Sequence, residues 1–228
     1  MIEQYFRPGV RLLWTKPMDA MGPLSGDVVP STLAATPMNY DGLDGHREVV
    51  DSQLLLEQAG NVLGLAMGGN IAHAWLAYAP GRTARMAAGG ADILTGYMSG
   101  CLIARGSHNG AINVYHVGTI DGNVAVNQNV KRTFAASLPA DATGFNPAGA
   151  WNHGEIAAIQ AKLGGGNVAT PNILALVTSG GAFYSVLLFN VSEANAWNNP
   201  AGRRYWCVGG KKLVPALNRV NLLASLNR

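Results

Sequence analysis

Charge and cysteine are both scarce in this chain. Only 13% of its residues are Asp, Glu, Lys or Arg, against 48% apolar residues. That balance excludes a disordered polyelectrolyte, and it excludes the dense basic surface on which nucleic-acid binding rests. The net charge is only +3, and part of it collects in Arg203-Arg204, Lys211-Lys212 and Arg219, which read as a solvated face rather than a patch for an acidic partner. The 2 cysteines do not make a disulfide framework. Cys101 and Cys207 would pair only in an oxidising compartment, and both are expected reduced in a working form. No apolar run approaches the ~20 residues that a spanning helix needs, so no membrane association is expected. The opening MIEQYFRPGVRLLWTK lacks a basic stretch followed by a continuous apolar one, so no cleaved secretory signal is expected. CxxC and HExxH are missing and the histidines are scattered, so neither a metal nor a cofactor is expected. Gly68-Gly69 and Gly164-Gly165-Gly166 lack the spacing and the Lys-Ser/Thr ending of phosphate loops, and read as helix terminators.

What is present reads as one domain. The 228 residues suffice to bury a substantial core, with no internal repeat and no low-complexity segment. Residues 1–45, punctuated by Pro8, Pro17, Pro23, Pro30 and Pro37, are expected to be an extended N-terminal segment wrapped on the domain formed by 46–228. Phe6, Leu12, Leu13 and Trp14 would dock it. Val49, Val50, Leu54, Leu56, Val62 and Leu63 recur at helical spacing, which predicts a helix from about Asp44 or Arg47 to Ala59. Ile71 to Tyr78 follows as a buried strand or short helix, with His73 as a core histidine, and Arg82 to Gly90 as a loop. Asp121-Gly122-Asn123 predicts a turn, Val124 to Val130 a strand, Leu138 to Pro147 a polar loop, and Asn152 to Leu163 a helix. In the last third, Asn172 to Thr178 and Ala182 to Val191 flank Ser179-Gly180-Gly181, a hairpin signal. Arg204 to Val208 adds a strand containing Cys207, read as an inert buried thiol, and Leu213 to Leu226 a last strand or short helix. About seven strands and two substantial helices predict a mixed α/β fold, a β-sandwich of two packed sheets flanked by helices.

The chemistry concentrates in Leu94 to Thr119, LTGYMSGCLIARGSHNGAINVYHVGT. Leu102 to Arg105 and Ile112 to Val117 are β-prone runs around a cluster of turn formers, Gly106 to Ala111. A six-residue loop would set Ile103 against Val114 and Cys101 against His116; a five-residue loop would pair Cys101 with Tyr115 instead and turn His116 to the other face. The six-residue register is preferred because it gathers Ile103, Ile112 and Val114 on one apolar face. Opposed thiol and imidazole supply the geometry of a thiolate–imidazolium pair. Ser99-Gly100 gives a flexible backbone whose N–H groups would converge on an oxyanion beside the sulfur. Thr95 offers a hydroxyl to hold the imidazole tautomer, and His108 at the loop tip, with Tyr115, is a candidate substrate contact.

The pattern Thr95, five residues ending in Ser99-Gly100, Cys101, then His116 after fourteen more resembles the catalytic signature of the bacterial glutamine deamidases. These include the catalytic domain of the cytotoxic necrotizing factors, the Burkholderia lethal factor toxin and the chemoreceptor deamidases. Met98 stands where the toxins usually carry leucine, and the resemblance covers about 26 residues. It implies a β-sandwich flanked by helices, and a cysteine-dependent hydrolase acting on the side-chain amide of a glutamine in a protein substrate, working as a monomer without a cofactor. It also implies a bacterial protein secreted or injected to act in a target-cell cytosol, or else one of the bacterial cytoplasm. Two rival readings stand beside it: a cysteine peptidase or amidase, disfavoured by the short Cys101–His116 spacing, and a non-catalytic β-rich binding domain in which Cys101 is merely buried.

Overall fold

A computed structural model of the chain describes residues 2–8, 10–14, 47–58, 61–66, 71–76, 78–96, 98–163, 168–191 and 204–227. In chain order the strands are β1 (Val10–Trp14), β2 (Arg47–Gln58), β3 (Asn61–Ala66), β4 (Ile71–Trp75), β5 (Thr83–Ala87), β6 (Ile93–Thr95), β7 (Leu102–His108) and β8 (Ala111–Val117). They continue with β9 (Thr143–Phe145), β10 (Val168–Val177), β11 (Phe183–Val191) and β12 (Arg204–Val214). Three α-helices, α1 (Val124–Ala136), α2 (His153–Lys162) and α3 (Arg219–Leu226), and short 3-10 helices at Ile2–Tyr5 and Ala148–Ala150 complete the described fold. The larger sheet has the order β1-β12-β11-β10-β6-β4-β2-β3, and β1 also pairs with β2, so the sheet curls back on itself. The smaller has the order β5-β8-β7-β9. The fold is therefore mixed α/β, two packed sheets flanked by helices. Among the described residues, no helix is long and apolar enough to cross a membrane.

Three apolar layers hold these pieces together. Between the sheets lie Ile93, Ala175, Val177 and Phe183 from the larger and Met86, Ile103, Val114 and Phe145 from the smaller. The other face of the smaller sheet, with Leu102, Ala104, Tyr115 and Val117, is covered by Val130 and Phe134 of α1 and Leu222 and Leu226 of α3. Ile156 and Ile159 of α2, with Trp151, cover Leu187, Phe189 and Cys207. Each fully buried aliphatic or aromatic side chain in these layers contributes about 1.5–3 kcal/mol. Lys212 fastens α2 further: its ammonium bonds Glu155 at 2.6 Å and the Ala150 carbonyl at 2.8 Å, above the Trp151 ring.

Several elements differ from the sequence reading. Arg47–Gln58 is a strand, not a helix, because its backbone is paired along both edges, with β1 on one side and β3 and β4 on the other. The N-terminal segment is likewise more than a wrap where it is described: Ile2 and Phe6 are buried, and Val10–Trp14 sits in the sheet between β2 and β12. Residues 15–46 and the Gly68-Gly69 and Gly164–Gly166 breaks lie outside the described residues. Thr83–Ala87, read as loop, pairs with β8 as an edge strand, and Thr143–Phe145 within the expected polar loop pairs with β7.

Val124–Ala136, whose first half reads as alternating strand, is helical. Asn123 caps it, its side chain accepting from the Val126 N–H at 3.1 Å, so the turn signal there was a helix start. Val130 and Phe134, one helical turn apart, are buried, and the Phe134 ring lies 5.3 Å from that of Tyr115. The Asn152 cap of α2 and the β10–β11 hairpin, with Gly181 at φ 86°, stand where the sequence put them.

Candidate active site

The chain passes between the two sheets repeatedly, and two of these crossings meet a third connection, the one that leaves the smaller sheet for α1. The first, from β4 to β5, contains Tyr78; the second, from β6 to β7, contains Ser99, Gly100 and Cys101; the third leaves β8 for α1 and contains Thr119 and Asp121. Backbone that has left a sheet is free of ladder bonds, which lets its N–H groups face something else. The connections are tied to one another and to the sheets. Gly118 donates to the Arg82 carbonyl at 2.8 Å and accepts from the Gly81 N–H at 3.0 Å, and Met98 donates to Ile173 of β10 at 3.0 Å. Asn127, in the first turns of α1, clamps both backbone groups of Ile120, at 2.7 and 2.8 Å. Gly118 admits no side chain, since a Cβ there would lie 2.1 Å from the Ala79 carbonyl oxygen.

The hairpin that presents Cys101 and His116 is tighter than the sequence suggested. Asn109 and Gly110, at φ 50° and 78°, form a two-residue turn, so His108 faces Ala111, Ile103 faces His116 and Leu102 faces Val117. Shortening the loop moves the register by two residues, which preserves the face and changes the partner. Cys101 and His116 therefore share the inner face as diagonal neighbours, not as an opposed pair. Thr119 meets the sulfur twice: its N–H donates at 3.4 Å, and its hydroxyl lies at 3.6 Å.

His116 is fully buried, and its Nδ1 shares a 2.6 Å hydrogen bond with the Thr95 hydroxyl, which reaches across from β6 of the other sheet. Its Nε2 is buried without a hydrogen-bond partner among the described residues. The Tyr78 ring stands 5.4 Å from the imidazole, and its Oη donates to the Thr119 carbonyl at 2.5 Å. Burial governs the protonation of all three groups. It pushes the His116 imidazole down to about 3 and the Cys101 thiol up, while backbone and hydroxyl donors from Thr119, with the amides of Gly100 and Ser99, act on the sulfur in the opposite sense. Burial and the neighbouring Cys101 and Asp121 push Tyr78 up to about 12. At neutral pH the resting pair is a thiol and a neutral imidazole, in place of the ion pair expected from the sequence.

Cys101 is 1% exposed, yet it forms part of the floor of an open cleft of about 360 Å³. Tyr78 and Thr119 flank it, Met98 and Ile173 supply apolar walls, and Ser99 and Asp121 stand at the side, joined by a 2.7 Å hydrogen bond. Ser99 and Cys101 thus line the cleft, with Gly100 between them, while Thr95 and His116 are bonded to each other in the buried layer, His116 on the sheet face that Cys101 shares, and neither lines the cleft. His108 and Tyr115 lie elsewhere, and both substrate-contact readings are corrected. His108 closes the far end of β7, about 23 Å along the strand from Cys101. Tyr115 is buried on the opposite face of the sheet against Phe134. Sequence reasoning missed Tyr78, Thr119 and Asp121. Thr119 ends the motif stretch, only three residues beyond His116, and that proximity was the available signal. Cys207 is buried with Leu187 and Phe189. Among the described residues, no group of three or more His, Cys, Asp or Glu is placed to hold a metal ion. Comparison with protein-family models, with curated proteins and with solved structures found no match.

Proposed function

We propose that the chain is a cysteine-dependent protein glutamine deamidase, a hydrolase that converts a glutamine side chain of a target protein to glutamate. One observation carries this reading: a buried Thr95–His116 hydrogen bond leaves the other imidazole nitrogen unpartnered on the sheet face shared with a cleft-lining cysteine. An orphaned buried nitrogen costs about 1–3 kcal/mol, and in this reading it is the atom kept free to take a proton. With Nδ1–H donating to Thr95, Nε2 holds the lone pair of a general base. As the carboxamide docks, Nε2 takes the Cys101 proton, Sγ bonds the amide carbon, and the amides of Ser99 and Gly100 receive the developing oxyanion. The imidazolium returns its proton to the departing nitrogen, ammonia leaves, and a water deprotonated by Nε2 hydrolyses the thioester. Neutral groups at rest suit a buried site, since the charges arise only when the substrate's dipole is present to interact with them.

A bacterial protein acting in a target cell, with a protein as its partner, is the setting that this chemistry and the signature's resemblance support. The test is mass spectrometry of a cell lysate exposed to the wild type or to Cys101→Ala. Glutamines heavier by about 1 Da should appear with the wild type alone; none in either sample refutes the deamidase reading, and equal conversion in both refutes Cys101 as the nucleophile.

A further inference from the structure

We infer that Thr119 is a further catalytic residue, holding the Cys101 sulfur as a thiolate through its amide and hydroxyl, and that Tyr78 positions it. This rests on the reading of Cys101 as the nucleophile. The motif around the cysteine explains the proton acceptor, but burial disfavours the imidazolium that forms when the proton passes, so the thiolate needs hydrogen-bond donors of its own. Thr119 supplies them from another connection. Its N–H donates to Sγ at 3.4 Å and its hydroxyl oxygen lies 3.6 Å away, able to accept from the thiol or donate to the thiolate, and the residue is 6% exposed, so water competes little for them.

The surroundings fix that aim. Tyr78 donates to the Thr119 carbonyl, Asn127 holds Ile120 on one side, and Gly118 is locked to Arg82 on the other. Gly100 completes the fit: a Cβ there would stand 3.2 Å from the Thr119 hydroxyl oxygen and press it from its place. In the reaction the Cys101 S–H bond breaks, its proton passes to His116 Nε2, and the electron pair stays on Sγ. The Thr119 hydroxyl turns its hydrogen toward that pair until the bond to the carboxamide carbon forms.

The experiment follows the alkylation of Cys101 by iodoacetamide against pH, read on the Cys101 peptide so that Cys207 does not contribute. Among the described residues, the titratable groups around the sulfur are Tyr78 and Asp121, which line the cleft with it, and His116, which shares its sheet face, and Thr119→Val leaves all of them in place. Thr119→Val should raise the midpoint of the alkylation profile by about one pH unit and slow alkylation at pH 7 about tenfold, while Thr119→Ser stays within about twofold of wild type. Tyr78→Phe should move the profile in the same direction by about half as much. A Thr119→Val profile that coincides with wild type overturns the inference. If Thr119→Val does not fold, a Tyr78→Phe profile that coincides with wild type overturns it instead. Profiles that shift as stated in a protein that deamidates nothing leave the inference standing and remove the deamidase reading. Unshifted profiles in an active deamidase do the reverse.

Discussion

Lowering the pH from 7.5 to 5 should destabilise this protein through His116. In the folded chain burial holds the imidazole at about 3, against 6.5 when it is exposed. Between those values the unfolded chain binds a proton that the folded chain refuses. The stability that a neutral His116 contributes is therefore complete above pH 6.5 and is lost as the pH falls toward 3. At pH 5 the loss is 1.5 pH units' worth, or about 2 kcal/mol, a large share of the 5–15 kcal/mol that such domains typically possess. The assay is urea unfolding at pH 7.5, 6 and 5, comparing wild type with His116→Gln. This window stays above the range in which Asp141, held below the ordinary carboxylate range by Ser107, begins to protonate. Wild type should lose about 2 kcal/mol more than the variant between pH 7.5 and 5. Equal losses in the two proteins would show that the imidazole is not buried neutral, and the proton transfer proposed for it would lose its basis.

Three further outcomes follow from the same geometry. Iodoacetamide should modify Cys101 ever faster as the pH rises above 7, because burial raises its thiol, while Cys207, packed with Leu187 and Phe189, should react only in denaturant; peptide mass spectrometry separates the two. Gly118→Ala should cost about 1–3 kcal/mol and at least tenfold in ammonia release, since its Cβ would meet the Ala79 carbonyl and displace Thr119; unchanged kinetics in the folded variant would refute the packing of the connections. Tyr115→Phe should leave activity unchanged and stability equal or higher by about 1 kcal/mol, because its buried hydroxyl has no hydrogen-bond partner among the described residues. A loss of activity there would return Tyr115 to the substrate's side of the sheet.

How far the sequence could be read depends on the kind of signal each segment has. The β10–β11 hairpin and the capped helix at His153 were legible because their determinants are local: a glycine turn in one, an asparagine side chain on the Glu155 N–H in the other. The strand Arg47–Gln58 was not, because its apolar spacing fits a helix and its strand character comes from partners distant in sequence. The site divides in the same way. That Cys101 and His116 share a face follows from strand periodicity, which a two-residue shift of register does not disturb. The turn at Asn109-Gly110 was visible as a dipeptide, but it was absorbed into a longer loop, and with it went the true partner of His116. Tyr78, some twenty residues upstream, reaches the sulfur only because the chain crosses between sheets there, and no local pattern announces a crossing.

The most direct measurement of the central claim is hydrolysis in water enriched in oxygen-18, using a protein substrate identified from the lysate comparison. Thioester hydrolysis at Cys101 predicts that each converted glutamine gains about 3 Da, carries one solvent oxygen and releases one ammonia, and that Cys101→Ser and His116→Gln yield neither. Conversion that continues undiminished in folded Cys101→Ser, or ammonia release without the labelled carboxylate, would contradict it.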